Sequence, residues 1–435
     1  MVIRIDFSRH SVQNAAELEQ ALGYFLEEIA EDHGLTLKGF DGQSRFGNLI
    51  RQLGSDRQVV ILIDEYDKPL IDNLEQLAVA REIQRLLKNF YTVIKSMDQY
   101  IRFVFMTGVS RFSRIGVFSA MNNLLDLTMH PDFAHLLGLT EDEIRRYFQG
   151  YLARFAQDKE ISEATLLEQM RRWYDGFRFV DGSEPLYNPF STMHFFHNRR
   201  FANYWFETGT PSFLIKLIRE QNFDVRQLEQ LELRETAFST YELENLSVIP
   251  LLVQTGYLTI KDYDPETRKY TLAYPNYEVE DAFSVHLLGA FSSVNYGLGE
   301  AYLWQLIDAL EEGDLEQFFS ILNIFFANID YQLHLKYEKY YQTIFYLIFL
   351  LLGLRVEAEV ATNKGRIDAV VELKEAIFLF EFKLDGDADQ ALQQIITREY
   401  YQKYCPKEKP VTLVGVNFDT RKRGVAAWQS KLAKI

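Results

Sequence analysis

The sequence predicts an α/β protein with two separate α/β regions joined by a long helical stretch. Residues 59–63 form a continuous aliphatic, β-branched run that ends in Asp64 and Glu65, as in a strand buried on both faces. Leu77, Ile83, Leu86, Leu87, Phe90, Val93, Ile94 and Met97 follow at helical spacing, and residues 101–106 form a second apolar run. Strand, long helix and strand make a parallel βαβ unit. A second αβ pattern begins near Glu338 and runs to the end of the chain.

Taken in order, residues 2–7 read as a strand, and Ser11 is placed to cap an amphipathic helix that ends at Ile29. With the βαβ unit these make a first region, residues 1–130. From Pro131 the pattern turns helical and aromatic over 131–240, with no strand expected before 257–260. A helical pattern then runs into an apolar strand, a charged turn and a second strand at 270–273. That order suits a winged-helix-like module at 241–295, and equally a hairpin capping a helical lid. Residues 296–330 read as linking helices. The last region, 331–435, holds an apolar helix at 340–352, strands at 357–360, 368–372 and 376–382, an amphipathic helix at 389–404 and a strand at 411–416.

A chain of 435 residues can bury two or three cores. Its 47% hydrophobic content excludes a disordered chain. The single cysteine, Cys405, rules out an intrachain disulfide, fits a reducing compartment and has no evident base beside it. The N-terminus alternates apolar and polar residues and lacks a signal-peptide core. The longest apolar stretch, 344–354, is well short of the roughly 18–20 residues that cross a bilayer. A cytoplasmic protein with no membrane partner is therefore expected. The formal charge of −16 argues against a surface that binds nucleic acid throughout. Residues 331–435, however, carry 16 Lys/Arg against 13 Asp/Glu, while the rest carry 30 against 49. A polyanion is thus expected at the C-terminal region, and the acidic remainder suits a protein partner. The eight histidines show no ligand spacing.

Asp368 enters one predicted strand, and Phe378-Leu-Phe-Glu-Phe-Lys383 ends the next. The two-residue period of a strand sets Glu381 and Lys383 on one face. A short turn around Lys374 and Glu375 lets Asp368 sit beside them. Two carboxylates, Asp368 and Glu381, suit a hard ion such as Mg²⁺ or Mn²⁺. The lysine can orient an attacking water, which completes the parts for metal-assisted phosphodiester hydrolysis. E-x-K alone is common by chance. Here it stands in a longer order: apolar helix, strand, Gly365-Arg-Ile-Asp368, E-x-K strand, and a helix bearing Gln390, Gln393 and Gln394.

Residues 59–65 also have the form of a Walker B strand, where one acid holds Mg²⁺ and the next polarises water. Strands often end in acids for solubility alone. The accompanying loop, G-x-x-x-x-G-K-[ST], is absent, since Gly42-Gln-Ser-Arg-Phe-Gly47 continues with Asn and Leu. ATP as a cofactor and its hydrolysis are not expected of this chain.

Leu62-Ile-Asp-Glu-Tyr-Asp-Lys-Pro-Leu70, Phe105-Met-Thr-Gly-Val-Ser-Arg-Phe-Ser113, Trp173-Tyr-Asp-Gly-Phe-Arg-Phe179, Tyr187-Asn-Pro-Phe190 and Tyr204-Trp-Phe-Glu-Thr-Gly-Thr-Pro211 occur in that order. Together they resemble the AAA-ATPase-like proteins of gut and anaerobic bacteria, and the C-terminal order resembles the PD-(D/E)xK nuclease superfamily. The resemblance implies an incomplete P-loop NTPase-like parallel sheet, a helical and winged-helix-like middle, and a restriction-endonuclease-like C-terminal domain. It makes Asp64 and Glu65 the Mg²⁺ and catalytic acids and places Thr107 or Arg111 near a γ-phosphate. In the C-terminal domain it implies catalysis by Asp368, Glu381 and Lys383. Glu338 would complete that site, or serve only as an acid at a helix N-terminus. Gln393 or Gln394 would touch metal-bound water or phosphate, or face solvent. Family members begin earlier, with a strand and a P-loop, so the sequence is expected to be truncated or its start misassigned, with ATP binding restored if the start lies upstream. The functional expectation is a metal-dependent nuclease; the alternative is a non-catalytic binding or regulatory protein that uses both folds as scaffolds.

Overall fold

The computed structural model describes residues 1–435 except 110–122, 209–211, 222, 235–245, 293–295, 328–337, 352–354, 363–364, 405–408 and 434–435. Side chains are further undescribed at 207, 208, 212, 229, 292, 296–301, 303, 338, 339, 355–362, 365 and 366. Arg111 and Cys405 therefore lie outside the described residues, as does the side chain of Glu338. The chain divides into two compact units.

The first unit comprises Met1–Thr140, Phe177–Leu186 and Glu232–Ala273. Its sheet orders β1 (Val2–Asp6), β2 (Val59–Asp64) and β3 (Ile101–Met106), all parallel, as the βαβ pattern requires. Helices Ala15–Asp32, Gly42–Leu53 and Leu77–Ser96 pack together beside it. The first helix starts later than Ser11 predicts, because the Asn14 side chain accepts the Glu17 N–H and fixes the cap there. Ile3, Ile5, Ile61 and Ile63 fill one face of the sheet. The register groups Val2, Val60, Leu62, Phe103 and Phe105 on the other face, where Phe103 is 53% exposed.

Helix Val248–Gln254 does run into a hairpin, β5 (Thr259–Asp264) and β6 (Lys269–Ala273). A strand absent from the sequence reading, β4 (Leu231–Arg234), joins β6 from the other side. Its four residues carry too little pattern to be recognised alone, and pairing defines it. Thr259 ties β5 to the Phe177–Leu186 segment: its hydroxyl accepts the Arg178 N–H at 2.7 Å and donates to the Arg178 carbonyl at 3.0 Å.

The second unit comprises Glu141–Gly176, Tyr187–Leu231 and Tyr274–Ile435. Helices Gln149–Asp158, Glu163–Tyr174 and Pro189–Asn198 enclose an aromatic core in which Phe195 contacts Phe155, Tyr174 and Phe201. The unit's five-stranded sheet has the order β11-β10-β9-β8-β7. The strands are β7 (Arg355–Thr362), β8 (Gly365–Glu372), β9 (Ile377–Leu384), β10 (Val411–Asp419) and β11 (Gly424–Leu432). β9 and β10 are parallel, and helix Ala388–Thr397 makes the crossover between them; the other pairs are antiparallel.

Alternation along β9 separates two cores. Phe380 and Phe382 turn to helix Glu338–Leu351, with ring centroids 5.0 and 4.8 Å from Phe345. Ile377 and Leu379 turn to the crossover helix, packing with Leu392, Ile395, Tyr400 and Leu413. That helix ends at Thr397, several residues before the 404 predicted, because Glu399 takes a left-handed φ of 51° and breaks it. Among the described residues no helix is long and apolar enough to cross a membrane.

Candidate active site

β8 and β9 pair antiparallel from Ala369–Phe380 to Glu372–Ile377. The same register carried one step further sets Asp368 opposite Glu381. Asp368 Oδ2 accepts the Phe382 N–H at 2.8 Å, which fixes its carboxylate against β9. Glu381 points to the crossover-helix side of the sheet and is 2% exposed. Lys383, two residues on, shares that side, with its Nζ 3.7 Å from Glu381 Oε1.

Gln394 joins the two. Its Oε1 accepts from Lys383 Nζ at 3.0 Å, and its Nε2 donates to Glu381 Oε1. The helix can come this close because Gly415 lies on β10 directly beside Glu381. A Cβ at Gly415 would stand 2.3 Å from the Ala388 carbonyl oxygen and 2.4 Å from the Leu392 nitrogen. Only glycine leaves room for the helix backbone.

Burial, and next the charge of Asp368, push the Glu381 carboxyl up to about 8, while Lys383, Gln394 and Arg398 pull the other way. Its second oxygen, Oε2, is buried with no hydrogen-bond partner. An orphaned carboxylate oxygen beside a second carboxylate is a donor set that fits a hard divalent cation. Among the described residues no group of three His, Cys, Asp or Glu that could hold a metal ion converges.

Of the tentative neighbours, Gln394 reaches the site and Gln393 does not: its side chain is exposed one position around the helix. Glu338 begins the helix on the opposite face of the sheet.

The acids of the first unit gather at the C-terminal edge of its parallel sheet. Asp64 accepts a hydrogen bond from the Thr107 hydroxyl, so these two sequence candidates do meet. Glu65 adopts a left-handed φ of 50°, and burial raises its carboxyl, with Lys68 opposing and Asp64 assisting. Asp67 is buried and accepts the Val109 N–H at 3.1 Å, while Lys68 pairs with Asp72 at 2.9 Å.

Residues 1–118 match the family described as Predicted AAA-ATPase, and residues 336–428 match the PD-(D/E)XK nuclease superfamily. An uncharacterised protein in the vnfD 5' region of Azotobacter chroococcum mcd 1 is 36% identical over 443 residues, covering 98% of this chain and 82% of its own. The chain belongs to the AAA-ATPase-like family. Its C-terminal domain belongs to the PD-(D/E)XK nuclease superfamily, and Asp368, Glu381 and Lys383 lie inside that match. No solved structure matches the chain.

Two features of this AAA-ATPase-like protein escaped the sequence reading. Gly415 left a usable signal, a glycine inside the strand run Val411-Thr-Leu-Val-Gly-Val416, which marks a close backbone approach. Arg398 left none, because its surroundings depend on where the chain turns after the helix.

Proposed function

We propose that this AAA-ATPase-like protein hydrolyses phosphodiester bonds of nucleic acid with Mg²⁺ or Mn²⁺ held by Asp368 and Glu381. The observation that carries the reading is the buried, unpartnered Oε2 of Glu381. A polar atom left so costs about 1–3 kcal/mol, more when charged, and a cation would relieve that cost. Bound by these two carboxylates, such a cation would supply Lewis acidity toward the phosphodiester. The chain's own groups do the rest. The Phe382 N–H holds the Asp368 carboxylate in place. Gln394 holds Lys383 and Glu381 at a fixed separation. Lys383, whose side chain is 31% exposed, supplies a cation to the attacked phosphate and a donor to the attacking water.

In the first unit, Asp64, Glu65 and Thr107 are proposed as the metal-side groups of a nucleotide fold. With no G-x-x-x-x-G-K-[ST] in these 435 residues, this chain is expected not to hydrolyse ATP.

Incubation of purified protein with plasmid DNA, single-stranded DNA and RNA, with and without Mn²⁺, tests the nuclease reading. Metal-dependent cleavage that is lost in Lys383→Ala supports it. Equal cutting by wild type and Lys383→Ala, or none by either, defeats it and favours a scaffold that binds a protein partner.

A further inference from the structure

We infer that Arg398 is a substrate contact of this site, a clamp for a backbone phosphate that flanks the one being cut. The inference rests on the phosphodiesterase reading above and names a group that would hold the polyanion. Arg398 lies one helical turn beyond Gln394, so the two share a helix face. Gln394 already bonds both Glu381 and Lys383, which makes this the face that looks on the site. Arg398 is also close enough for its charge to favour the ionised form of Glu381.

The guanidinium is held, not free to sweep. Its Nη1 donates to the Tyr400 hydroxyl at 2.8 Å, and its Cζ lies 6.0 Å from the Tyr400 ring centroid. That ring is 1% exposed and packs into the core beneath the crossover helix. Tyr400 therefore anchors the arginine at a core-fixed point while the side chain itself stays at the surface.

In a chain of net charge −16, the guanidiniums of Arg9, Arg45, Arg171 and Arg226 each pair with a carboxylate. Arg398 has no ion-pair partner among the described residues. An oriented fork of donors with no acid paired to it suits a phosphate, which accepts two parallel N–H bonds. The plainer role of a cation at a helix C-terminus needs no anchoring tyrosine.

The test is binding of a fluorescein-labelled DNA duplex by fluorescence anisotropy in Ca²⁺, across a salt series. The proteins are wild type, Arg398→Ala and Arg398→Lys, with Mn²⁺ affinity measured by calorimetry. One lost phosphate contact makes the log Kobs against log salt slope of Arg398→Ala shallower by about 1. Arg398→Lys is expected to restore the slope, and Mn²⁺ affinity to stay within about twofold. A helix-end role would lower the melting temperature and leave the slope unchanged. If wild type binds and cuts DNA while Arg398→Ala keeps the wild-type slope, the clamp is refuted and the nuclease reading stands. If wild type neither binds nor cuts, both fall.

Discussion

Gly415→Ala offers a demanding test of how the site is assembled. The added Cβ would lie 2.3 Å from the Ala388 oxygen and 2.4 Å from the Leu392 nitrogen, both backbone atoms that cannot rotate away. Cβ atoms essentially never approach closer than 3.0 Å, so the crossover helix must retreat by at least about 0.7 Å. Overpacking of this kind costs about 1–3 kcal/mol, or roughly 2–12 °C in melting temperature for a unit of this size. The retreat carries Gln394 away from Glu381 and Lys383. A misplacement near 1 Å at a reacting centre costs about a hundredfold in rate. Circular dichroism melting reads the first effect, and Mn²⁺-dependent plasmid nicking reads the second. Gly289→Ala serves as the control: its Cβ meets nothing within 4 Å, on the interior of helix Tyr277–Ser292. That change should stabilise by about 0.4–1 kcal/mol. A Gly415→Ala protein that melts within about 1 °C of wild type and nicks plasmid at an undiminished rate would refute the claim that this close approach seats Gln394.

Three further outcomes are expected. In the metal-free protein Glu381 keeps its proton up to about pH 8, whereas the unfolded chain releases it near the ordinary value of 4.5. The folded state then binds the extra proton between those values, so stability falls as pH rises through that window, by at most about 1.4 kcal/mol per pH unit. Denaturant titrations at pH 6 and pH 8 in EDTA should show this fall in wild type and much less of it in Glu381→Gln; equal falls would remove Glu381 as its source. Saturating Mn²⁺ should raise the wild-type melting temperature, by about 2.7 kcal/mol of stabilisation at a hundredfold excess over Kd, and should not raise that of Asp368→Asn. A rise of the same size in both proteins would mean that Asp368 is not a ligand. Finally, Arg226 and Asp224 form a buried bidentate pair, and Arg226 Nη1 donates to Gln342 Oε1 at 2.8 Å on helix Glu338–Leu351. Arg226→Ala leaves Asp224 charged and buried and should cost about 3–5 kcal/mol; a loss under about 1 kcal/mol in a denaturant titration would contradict that picture.

Much of the architecture is legible because strong periodicity survives tertiary packing. β2, the long helix after it and β3 stand where residues 59–106 put them, since a strand buried on two faces needs an unbroken apolar run. The E-x-K pair is equally plain, because alternation alone sets Glu381 and Lys383 on one face. What the sequence hid depends on partners far along the chain. β4 exists through its pairing with β6, and β11 is an edge strand whose residues Gly-Val-Ala-Ala-Trp-Gln-Ser-Lys-Leu carry little alternation. The choice between Gln393 and Gln394 turns on the exact rotation of one helix, which Gly415 sets from β10.

The division of β9 into two alternating tracks has a consequence for how the gene can change. Phe380 and Phe382 serve the aromatic core, while Glu381 and Lys383 face the candidate site one step out of phase. Loss of a single codon between the Lys374–Glu375 turn and Glu381 would move every later side chain of the strand to the wrong face, setting a carboxylate among phenylalanines. Loss of two codons would keep the phase and shorten only the reach. Tolerated length variation in this hairpin should therefore come in even steps, and drift in the fold's support and drift in its activity can proceed on separate tracks.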